Sequence, residues 1–348
     1  MKTKVLIVDD SALMRQLLTE ILSRDPTLEV VGAASDPFVA REKILRLAPD
    51  VVTLDVEMPR MDGLTFLEKL MRAHPLPVVM VSSLTERSCE TTWRALELGA
   101  TDFVTKPKLD VQSGTMQLAQ EIIDKVKAAA HAKVRGVRRG PGLTLAAHPL
   151  PSATLSFRAT HKVVAIGAST GGTEAIREIL AKLPADAPGI VMVQHMPEKF
   201  TTSFADRLNS LSKVSVSEAR DGDRILPGHA LLAPGNFHME VARSGAEYRV
   251  RVFAADPVNG HRPSVDVLFA SCARQLGSNA VGVILTGMGA DGAREMAAMR
   301  RAGAHTIAQD EESCVIFGMP KEAIAMGGAA EVLPLDRITT GILRATAA

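Results

Sequence analysis

KVLIVDD, at residues 4–10, is a short apolar run that ends in two aspartates. An uninterrupted apolar run of this length, bounded by polar residues, is typical of a strand that is buried on both faces. Four similar runs follow in the first third of the chain, at EVVGAA (29–34), VVTLDV (51–56), PVVMVS (77–82) and DFVTK (102–106). Stretches with helical spacing separate them, and buried strands with helical crossovers form a parallel, doubly wound sheet. The sequence therefore predicts a flavodoxin-like domain of five βα units at residues 1–125.

The composition changes after this first pattern. From Lys125 to Thr173, both included, there are eight lysine and arginine residues and no acidic residue. Glycine and proline interrupt any regular period from about residue 134 onwards, beyond a last helix predicted at 113–133. We therefore predict a basic linker at 126–160, which separates the first domain from a second domain at 161–348.

The second domain repeats the alternation of strand and helix. Its predicted strands are KVVAIG (162–167), GIVMVQ (189–194) and AVGVILT (280–286), with later strands at HTIAQD and EVLP. Its predicted helices lie at 172–182, 264–276, 293–303 and 335–346. Alternating segments between about 213 and 254, such as VSVSEA, HMEVAR and YRVRVF, predict an antiparallel flap. The fold class is thus α/β in both domains, and the second sheet is expected to be mostly parallel.

The composition and charge of the chain exclude several classes of function. Hydrophobic residues make up 46% and charged residues 23% of the chain, as in ordinary globular proteins. A net charge of +1 and only 3% aromatic residues give no reason to expect a nucleic-acid partner. No apolar stretch reaches the roughly 20 residues of a bilayer span, and the first residues lack the pattern of a signal peptide. We therefore expect a cytoplasmic protein without membrane insertion.

Polar and charged residues follow four strands of the predicted first sheet. Asp9 and Asp10 follow the first strand, Asp55 lies near the end of the third, Ser83 follows the fourth and Lys106 ends the fifth. Ligands of open α/β sheets bind at the carboxyl ends of the strands. Three carboxylates in one crevice repel each other and need a cation, and a small set of oxygen ligands suits Mg²⁺. A carboxylate there can accept a phosphoryl group, whose oxygens Lys106 and Ser83 would then engage.

This arrangement, with D-x-x-M-P-x-x-D-G at 55–63 and Lys106-Pro107, resembles the receiver domain of two-component signalling proteins over about residues 1–125. The resemblance implies that Asp55 accepts the phosphoryl group. It also implies the ligands of the Mg²⁺ ion, which are Asp9, Asp10, Asp55 and the backbone carbonyl of Glu57.

The same resemblance implies how the domain responds to phosphorylation. Lys106 is implied as the phosphate sensor, and Ser83 and Phe103 as the residues that switch position. The peptide bond between Lys106 and Pro107 is expected to be cis, which proline permits at low cost.

A second candidate site begins with a serine between a strand and a helix. Residues 167–172 read Gly-Ala-Ser-Thr-Gly-Gly, a G-x-S-x-G turn that would present the Ser169 hydroxyl at the sheet edge. The helix that follows supplies amide donors and the positive end of a dipole, which favour a developing oxyanion. Such a turn also binds anions or simply caps a helix in many proteins, so it is ambiguous by itself.

A serine nucleophile needs a base, and His195 follows the strand GIVMVQ at its carboxyl end. Parallel neighbouring strands would bring this histidine beside Ser169. Asp291, in the strand-to-helix loop TGMGADG (286–292), is the best candidate for the acid that orients the imidazole. The chain order Ser, His, Asp differs from the order Ser, Asp, His of the α/β-hydrolases.

The loop at 286–292 also supports a different interpretation. Gly287, Gly289 and Gly292 spell G-x-G-x-x-G between a strand and a helix, and Asp310 lies about twenty residues further on. A receiver-controlled, dinucleotide-dependent enzyme is therefore the alternative function, although it leaves the Ser169 turn unexplained. A non-enzymatic regulator is a further alternative, but no helix-turn-helix pattern or basic recognition helix follows the first domain.

Longer strings in the second domain resemble those of one family. GASTGG (167–172), QHMP (194–197), LAPG (232–235), NGHRPSVDVLF (259–269) and ILTGMGADGA (284–293) are similar to the chemotaxis protein-glutamate methylesterases of the CheB family, over about residues 155–345. The resemblance implies Ser169 as nucleophile, His195 as general base and acid, and Asp291 as the orienting carboxylate. The Met288 amide is implied as an oxyanion donor, and Thr170 as a residue that lines the site.

The resemblance to this family also implies a reaction and its partners. The reaction would be hydrolysis of glutamate methyl esters on chemoreceptor cytoplasmic helices, with release of methanol and a side activity of glutamine deamidation. A chemotaxis histidine kinase would be the phosphodonor, and no cofactor is expected for the esterase. The unphosphorylated receiver is expected to cover the esterase cleft. Phosphorylation at Asp55 would repack the face near Ser83 and Phe103 and open the cleft.

Overall fold

The computed structural model of the chain describes residues 2–58, 61–83, 85–107, 112–133 and 162–347. The greater part of the predicted linker, residues 134–160, lies outside these ranges. Within them the chain forms two α/β domains, which confirms the predicted fold class. None of the described helices combines the length and the apolar character that a membrane-spanning helix needs.

In the described ranges, the first domain alternates five strands with five helices. The strands are β1 (Thr3–Val8), β2 (Leu28–Ala34), β3 (Val51–Asp55), β4 (Val78–Ser82) and β5 (Asp102–Thr105). The helices are α1 (Ala12–Leu22), α2 (Pro37–Leu47), α3 (Gly63–Ala73), α4 (Glu86–Glu97) and α5 (Gln112–Ala130). The strands are parallel and lie in the order β2-β1-β3-β4-β5, which is the flavodoxin-like order.

The strands of this sheet are covered on both faces. Leu6 and Val8 pack into the cluster that includes apolar residues of α2, α3 and α4. Val5 and Ile7 point the other way, into the cluster with α1 and α5. Successive side chains of a strand face opposite sides of the sheet, so an uninterrupted apolar run is the pattern that two covered faces require.

Short polar side chains mark where the helices of this domain begin. Ser11 caps α1, and Asp36 caps α2, where Pro37 in the first turn fixes a helical φ. Asp62 and Thr85 cap α3 and α4 in the same way. Because these helices begin just beyond the carboxyl ends of the strands, the caps also fix the loops that carry the acidic residues.

The peptide bond between Lys106 and Pro107 is trans, so the implied cis bond is wrong. In the described part of the chain, the cis peptide precedes Pro263 instead. The Lys106 amide donates to the Ser82 carbonyl at 2.8 Å, which continues the line of β5 beside β4. Trans is the more stable form of an X–Pro bond by about 0.5–1 kcal/mol, so nothing in this extended segment requires the other isomer.

The second domain is built around a seven-stranded parallel sheet. Its strands are β6 (Val163–Ala168), β7 (Gly189–Gln194), β8 (Ser215–Glu218), β9 (His229–Leu232), β10 (His238–Ser244), β11 (Glu247–Phe253), β12 (Ala280–Ile284), β13 (His305–Gln309) and β14 (Glu331–Leu333). Its helices are α6 (Gly172–Lys182), α7 (Phe200–Leu211), α8 (Val265–Gln275), α9 (Ala293–Arg301), α10 (Met319–Ala325) and α11 (Leu335–Ala347). The main sheet has the order β14-β13-β12-β6-β7-β9-β8, and β10 and β11 form a separate hairpin.

The predicted antiparallel flap at about 213–254 is correct only for its second half. β10 and β11 do pair antiparallel, but β8 pairs in parallel with β9 at the edge of the main sheet. Residues of β8 alternate between exposed and buried because the strand lies at an edge. That alternation is also the pattern of a half-buried antiparallel strand, so the sequence did not distinguish the two. Helices α7 and α10 were not predicted either.

The two domains meet along an aromatic seam, which consists of Trp93 and Phe103 from the first domain and Phe200 and Phe204 from α7. The Trp93 and Phe204 rings stack with a centroid distance of 5.0 Å, and the Phe103 and Phe200 centroids are 4.4 Å apart. The Trp93 indole N–H also donates to Ser203 Oγ at 2.9 Å. All four rings are buried, so one hydrophobic cluster runs from the first domain into the second.

Candidate functional sites

Ser169 lies in the turn between β6 and α6. The Gly172 amide donates to the Ser169 carbonyl at 2.7 Å, and the Ser169 amide donates to the Thr286 carbonyl at 3.0 Å. Gly171 adopts a φ of 78°, and a β-carbon there would collide with Val315, so the position requires glycine. Ser169 is only 9% exposed. The turn therefore holds a serine at the carboxyl edge of the sheet in a nearly buried position.

His195 follows β7 directly beside this turn. β6 and β7 pair in parallel as far as Ala168 and Gln194, and the His195 amide then donates to the Ala168 carbonyl at 3.1 Å. The Gln194 side-chain amide donates to the carbonyls of Ser169 and His195, at 2.9 and 3.2 Å. One amide thus ties the two segments together where they leave the sheet, and the serine and the histidine are neighbours.

His195 and Asp291 form a buried pair. The distance from His195 Nε2 to Asp291 Oδ2 is 2.8 Å, and the two residues are 8% and 3% exposed. Because a carboxylate only accepts hydrogen bonds, Nε2 carries the proton of this bond. The other ring nitrogen, Nδ1, is buried and has no hydrogen-bond partner among the described residues. It therefore forms no hydrogen bond with the Ser169 hydroxyl in this structure. Nδ1 therefore has a free lone pair in the neutral ring.

Asp291 is surrounded by hydrogen-bond donors in the described chain. Five donors lie 2.6–3.3 Å from its oxygens: the side chains of His195, Asn259 and Ser264 and the amides of Val265 and Asp266. Burial alone would raise the pKa of the Asp291 carboxyl, but His195, Asn259 and Ser264 hold it well below its usual range. Asp291 is therefore ionised and fixed in orientation, as an orienting carboxylate must be.

A turn at 258–261 brings to this site two residues, Asn259 and His261, for which the sequence indicated no role. Val258 and His261 exchange backbone hydrogen bonds of 3.0 and 2.9 Å, and the positive φ angles of Asn259 and Gly260, 53° and 78°, are those of a type I′ hairpin turn. Asn259 reaches Asp291, and the His261 ring lies against His195. The Asn-Gly pair was a detectable turn signal, but it gives no indication of what the turn approaches.

Met288 and Thr170, the residues implied to line the site, both lie next to Ser169. Met288 follows Gly287, where a β-carbon would collide with the Ser169 side chain, so this loop passes directly against the serine. In the described residues the Met288 amide donates no hydrogen bond, which leaves it free for an oxyanion. The Thr170 hydroxyl donates to the Asp102 carboxylate, which belongs to the first domain.

Three of the four residues of the alternative dinucleotide pattern, Asp310, Gly292 and Gly287, are engaged in structural contacts. Asp310 accepts hydrogen bonds from the amide and the hydroxyl of Ser313, at 3.0 and 2.6 Å. The Gly292 amide donates to Asp266 at 3.1 Å, and the Gly287 amide donates to a neighbouring carbonyl at 3.1 Å. A G-x-G-x-x-G loop that binds pyrophosphate uses its glycine amides, and two of the three are already bonded here, so this loop is poorly suited to that task.

Asp9, Asp10 and Asp55 meet at the carboxyl edge of the first sheet. Their carboxylate oxygens lie within 4.8 Å of one another. Lys106 Nζ lies 2.8 Å from Asp55 Oδ1 and 3.6 Å from Asp9 Oδ2. Burial, with the neighbouring charge of Asp9, raises the pKa of Asp55 to about 6 in spite of Lys106.

These carboxylates retain acceptor capacity that suits a cation. Asp9 Oδ2 and Asp55 Oδ2 are buried and accept no hydrogen bond within the described residues. A buried anionic oxygen without a donor is costly, and a hard divalent cation with oxygen ligands would satisfy it. The Glu57 amide donates to Asp55 Oδ1 at 3.2 Å, which places this residue beside the cluster. The residues present therefore fit Mg²⁺.

Ser83 and Phe103, the implied switch residues, have different surroundings. Ser83 is half-buried just beyond β4, and its hydroxyl lies 2.7 Å from Ser88 Oγ, which in turn donates to Glu57 Oε1 at 3.0 Å. Phe103 belongs to the aromatic seam. In the described chain no hydrogen bond joins Ser83 to Asp55. Ser83 is therefore linked through Ser88 of α4 to Glu57, whereas Phe103 packs against α7.

Comparison with known proteins identifies both domains. Residues 5–113 match the response regulator receiver domain, and residues 164–342 match the family described as CheB methylesterase. The crystal structure of the Thermotoga maritima CheB methylesterase catalytic domain is similar to the second domain, with 41% identity and a TM-score of 0.52. That similarity covers 53% of this chain and 97% of the Thermotoga chain.

Longer relatives are similar over nearly the whole chain. A Geobacter metallireducens protein named protein-glutamate methylesterase/protein-glutamine glutaminase 1 is 61% identical over 342 residues, which covers 96% of this chain and 93% of the relative. A Pseudomonas aeruginosa protein named protein-glutamate methylesterase/protein-glutamine glutaminase 2 is 57% identical over 347 residues, which covers 100% of this chain and 98% of the relative. Neither name indicates a dinucleotide-dependent enzyme. The chain therefore belongs to the CheB methylesterase family and carries a response regulator receiver domain ahead of its esterase domain.

Proposed function

We propose that this chain hydrolyses glutamate methyl esters on the cytoplasmic domains of chemoreceptors, with release of methanol, and that phosphorylation at Asp55 controls the reaction. The observation that carries this proposal is the buried His195–Asp291 pair, whose free Nδ1 lies at the sheet edge that presents Ser169. The relatives support the choice of substrate, because both are named protein-glutamate methylesterases. Their names also support deamidation of receptor glutamines as a second reaction of the same site.

Hydrolysis begins with Ser169 as the nucleophile. His195 Nδ1 takes the hydroxyl proton while Ser169 Oγ attacks the ester carbonyl, and Nε2 stays hydrogen-bonded to Asp291. The ionised Asp291 stabilises the imidazolium that forms. The free Met288 amide donates to the oxyanion of the tetrahedral intermediate.

Collapse of this intermediate breaks the bond to the methoxy oxygen, which takes the proton from His195 and leaves as methanol. The product is an ester between the receptor glutamate and Ser169. A water molecule then gives a proton to His195 and attacks this ester, and the proton returns to the Ser169 oxygen as the free glutamate leaves. With a glutamine side chain the first leaving group is ammonia, and the remaining steps are the same.

Phosphorylation of the receiver starts from the carboxylate of Asp55. One of its oxygens attacks the phosphoryl group of a phosphohistidine on a chemotaxis histidine kinase, the P–N bond breaks and the kinase imidazole leaves. Asp9, Asp10, Asp55 and the Glu57 carbonyl would hold Mg²⁺, which neutralises charge on the phosphoryl oxygens when it is bound. Lys106, at 2.8 Å from Asp55, is placed to contact the new phosphoryl oxygens, and Ser83 is the second proposed donor.

The contact between the domains supports control by occlusion. The Thr170 hydroxyl, one residue from the nucleophile, donates to Asp102, which also accepts from Lys125 Nζ at 3.1 Å. Together with the aromatic seam, this contact keeps the receiver against the Ser169 turn, where a receptor helix would have to bind. Phosphorylation at Asp55 would move Phe103, weaken the seam and open the cleft.

Methanol release from methylated receptor membranes, with and without a phosphodonor, tests the proposal. We expect the phosphodonor to accelerate the wild type and to leave Asp55→Ala unchanged. Ser169→Ala should lose roughly three orders of magnitude or more of the rate, because the nucleophile is gone. Equal rates in the wild type and Asp55→Ala under all conditions would contradict phosphorylation control, and turnover in Ser169→Ala at close to the wild-type rate would contradict the assigned nucleophile.

A further inference from the structure

His261 lies flat against His195. Their ring centroids are 3.8 Å apart and the ring planes differ by 16°. His261 is half-buried, and among the described residues its ring nitrogens form no hydrogen bond. The contact with His195 is therefore made by the face of the ring and not by a polar atom.

The turn at 258–261 makes this contact rigid. Two backbone hydrogen bonds between Val258 and His261 close the turn. Asn259 then anchors it through bonds of 2.8 Å to Asp291 and 2.7 Å to Asp266. One short turn thus binds the Asp291 carboxylate through Asn259 and contacts the His195 imidazole through His261.

The charges around His261 keep its ring neutral. Among the described residues, the ionisable groups whose charges act on its pKa are His195, Asp291 and Lys125 of the receiver domain. When His195 is protonated, its charge together with burial lowers the pKa of His261 to about 3, and Lys125 acts in the same direction, while Asp291 opposes them only in part. A neutral His261 neither competes for Asp291 nor repels His195 when that ring takes up the serine proton.

We propose that His261 is a positioning residue for ester hydrolysis, because its ring face fixes the plane of the His195 imidazole and so keeps Nδ1 available to Ser169. This inference rests on the proposed function. His195 makes one side-chain hydrogen bond in the described residues, from Nε2 to Asp291, and a single bond lets the ring pivot. The torsion that turns an imidazole ring is broad, so packing has to restrict it. A flat neighbour at stacking distance provides that restriction.

Three substitutions at position 261 separate the ring face from the ring nitrogens and from mere volume. Phenylalanine keeps a flat face without nitrogens, leucine fills the space without a flat face, and alanine removes both. In the full-length chain with a phosphodonor and Mg²⁺, His261→Phe should keep kcat within about threefold of the wild type. His261→Leu and His261→Ala should lower kcat by roughly ten- to a hundredfold with KM within about twofold, because a misplaced base slows the chemistry and not the binding.

Covalent labelling of Ser169 by a fluorophosphonate provides a second measurement that needs no receptor. Ser169→Ala is the control and should not be labelled. His261→Leu should slow labelling by about the same factor as kcat, while His261→Phe labels at close to the wild-type rate. Since leucine and phenylalanine both fill the site, their contrast remains decisive even if the alanine variant does not fold.

Two results would overturn the role of His261. Equal labelling rates in the phenylalanine, leucine and wild-type proteins would show that the stack does not position the base. A loss in His261→Phe as large as in His261→Leu would show that the ring face is not what matters. A wild type that is labelled at Ser169 but releases no methanol would refute the proposed substrate, and the labelling comparison would still decide the role of His261.

Discussion

Asp55 and Asp291 are both buried aspartates at the carboxyl edge of a parallel sheet, with 1% and 3% of their surfaces exposed. Their pKa values are displaced in opposite directions. Burial and a neighbouring charge raise the pKa of Asp55 to about 6, whereas the pKa of Asp291 is held well below its usual range. The difference lies in their partners. Asp291 accepts from five donors, while Asp55 Oδ2 has no partner in the described chain.

This contrast shows how one residue type serves two kinds of chemistry. A carboxylate with an unused oxygen can accept a phosphoryl group or a cation without breaking existing bonds. A carboxylate whose oxygens are all bonded cannot do so, but it can hold a neighbouring imidazole in one orientation. Burial is nearly the same in both cases, so the number of donors decides which role the residue can take.

The largest expected effect comes from removing the charge of Asp291, whose two oxygens both accept hydrogen bonds. Asp291→Asn replaces an acceptor by a group that also donates, so His195 Nε2 loses its acceptor and the proton moves to Nδ1. We expect kcat for methanol release to fall by about 10⁴-fold, the size of loss that follows when a triad imidazole is held in the wrong tautomer. Asp310→Asn is the matched control, because Asp310 is a strand-end carboxylate whose hydrogen bonds stay within its own turn. A comparable loss in both variants would contradict the role of Asp291 and revive the dinucleotide interpretation.

The next largest effect tests the acidic cluster at Asp55, where Oδ2 accepts no hydrogen bond within the described residues. Mg²⁺ at about a hundred times its Kd should raise the free energy of unfolding by about 2.7 kcal/mol, because it binds the folded acidic cluster only. Thermal unfolding with Mg²⁺ and with a chelator measures this difference. Asp55→Asn should reduce the response and Asp291→Asn should keep it, since Asp55 belongs to the cluster and Asp291 does not. An unchanged transition temperature in the wild type would contradict a cation site at these three carboxylates.

The same contrast explains how much of each site the sequence could predict. The acidic cluster was predictable because Asp9, Asp55 and Lys106 each end a strand, and parallel strands bring their carboxyl ends together. Ser169 and His195 are close for the same reason. The sequence patterns for β6 and β7 were therefore sufficient to place these residues side by side.

The residues that surround His195 and Asp291 could not be predicted in this way. Asn259 and His261 reach the site from a hairpin turn, and no periodic pattern relates that turn to β6, β7 or β12. The contact of Thr170 with Asp102 depends on how the two domains pack, and the predicted linker between them carries no such information. Periodicity places residues on strands and helices, but it does not encode the tertiary approach of a turn or of a second domain.

Asp102 offers a smaller and different effect, because its partners lie in both domains. Asp102→Asn weakens the bond from Thr170 while it keeps the shape of the side chain. We expect the rate of methanol release without a phosphodonor to rise roughly five- to tenfold, and activation by the phosphodonor to fall, as for the loss of a coupling contact. Asp124→Asn on α5 is the control, because its partner Gln120 lies within the receiver. An unchanged basal rate would show that this bond does not contribute to occlusion.

Asp25 provides the smallest expected effect. It tests the comparison because it accepts several hydrogen bonds, as Asp291 does, but lies nearer the surface. It accepts from the amide and hydroxyl of Thr27, at 2.7 and 2.5 Å, and from Lys127 Nζ at 2.9 Å. Thr27 first, and then Lys127, lower the pKa of Asp25 to about 2. Because this value lies below the ordinary 3.8, the stabilisation is complete above about pH 4 and is lost as the pH falls towards 2.

Asp25→Asn should therefore lower the free energy of unfolding by about 0.5–1 kcal/mol at pH 7, because solvent screens a partly exposed pair. Urea unfolding at pH 7 and at pH 3 measures the effect, which should shrink at the lower pH as the wild-type carboxylate takes up a proton. An equal loss at both values would mean that the shape of the side chain and not its charge is responsible. A loss at pH 7 as large as that of Asp291→Asn in the same assay would mean that donors alone set the energy. We expect Asp291→Asn and Asp25→Asn to differ in their loss of unfolding free energy, because a hydrogen bond to a carboxylate is strongest where water is excluded.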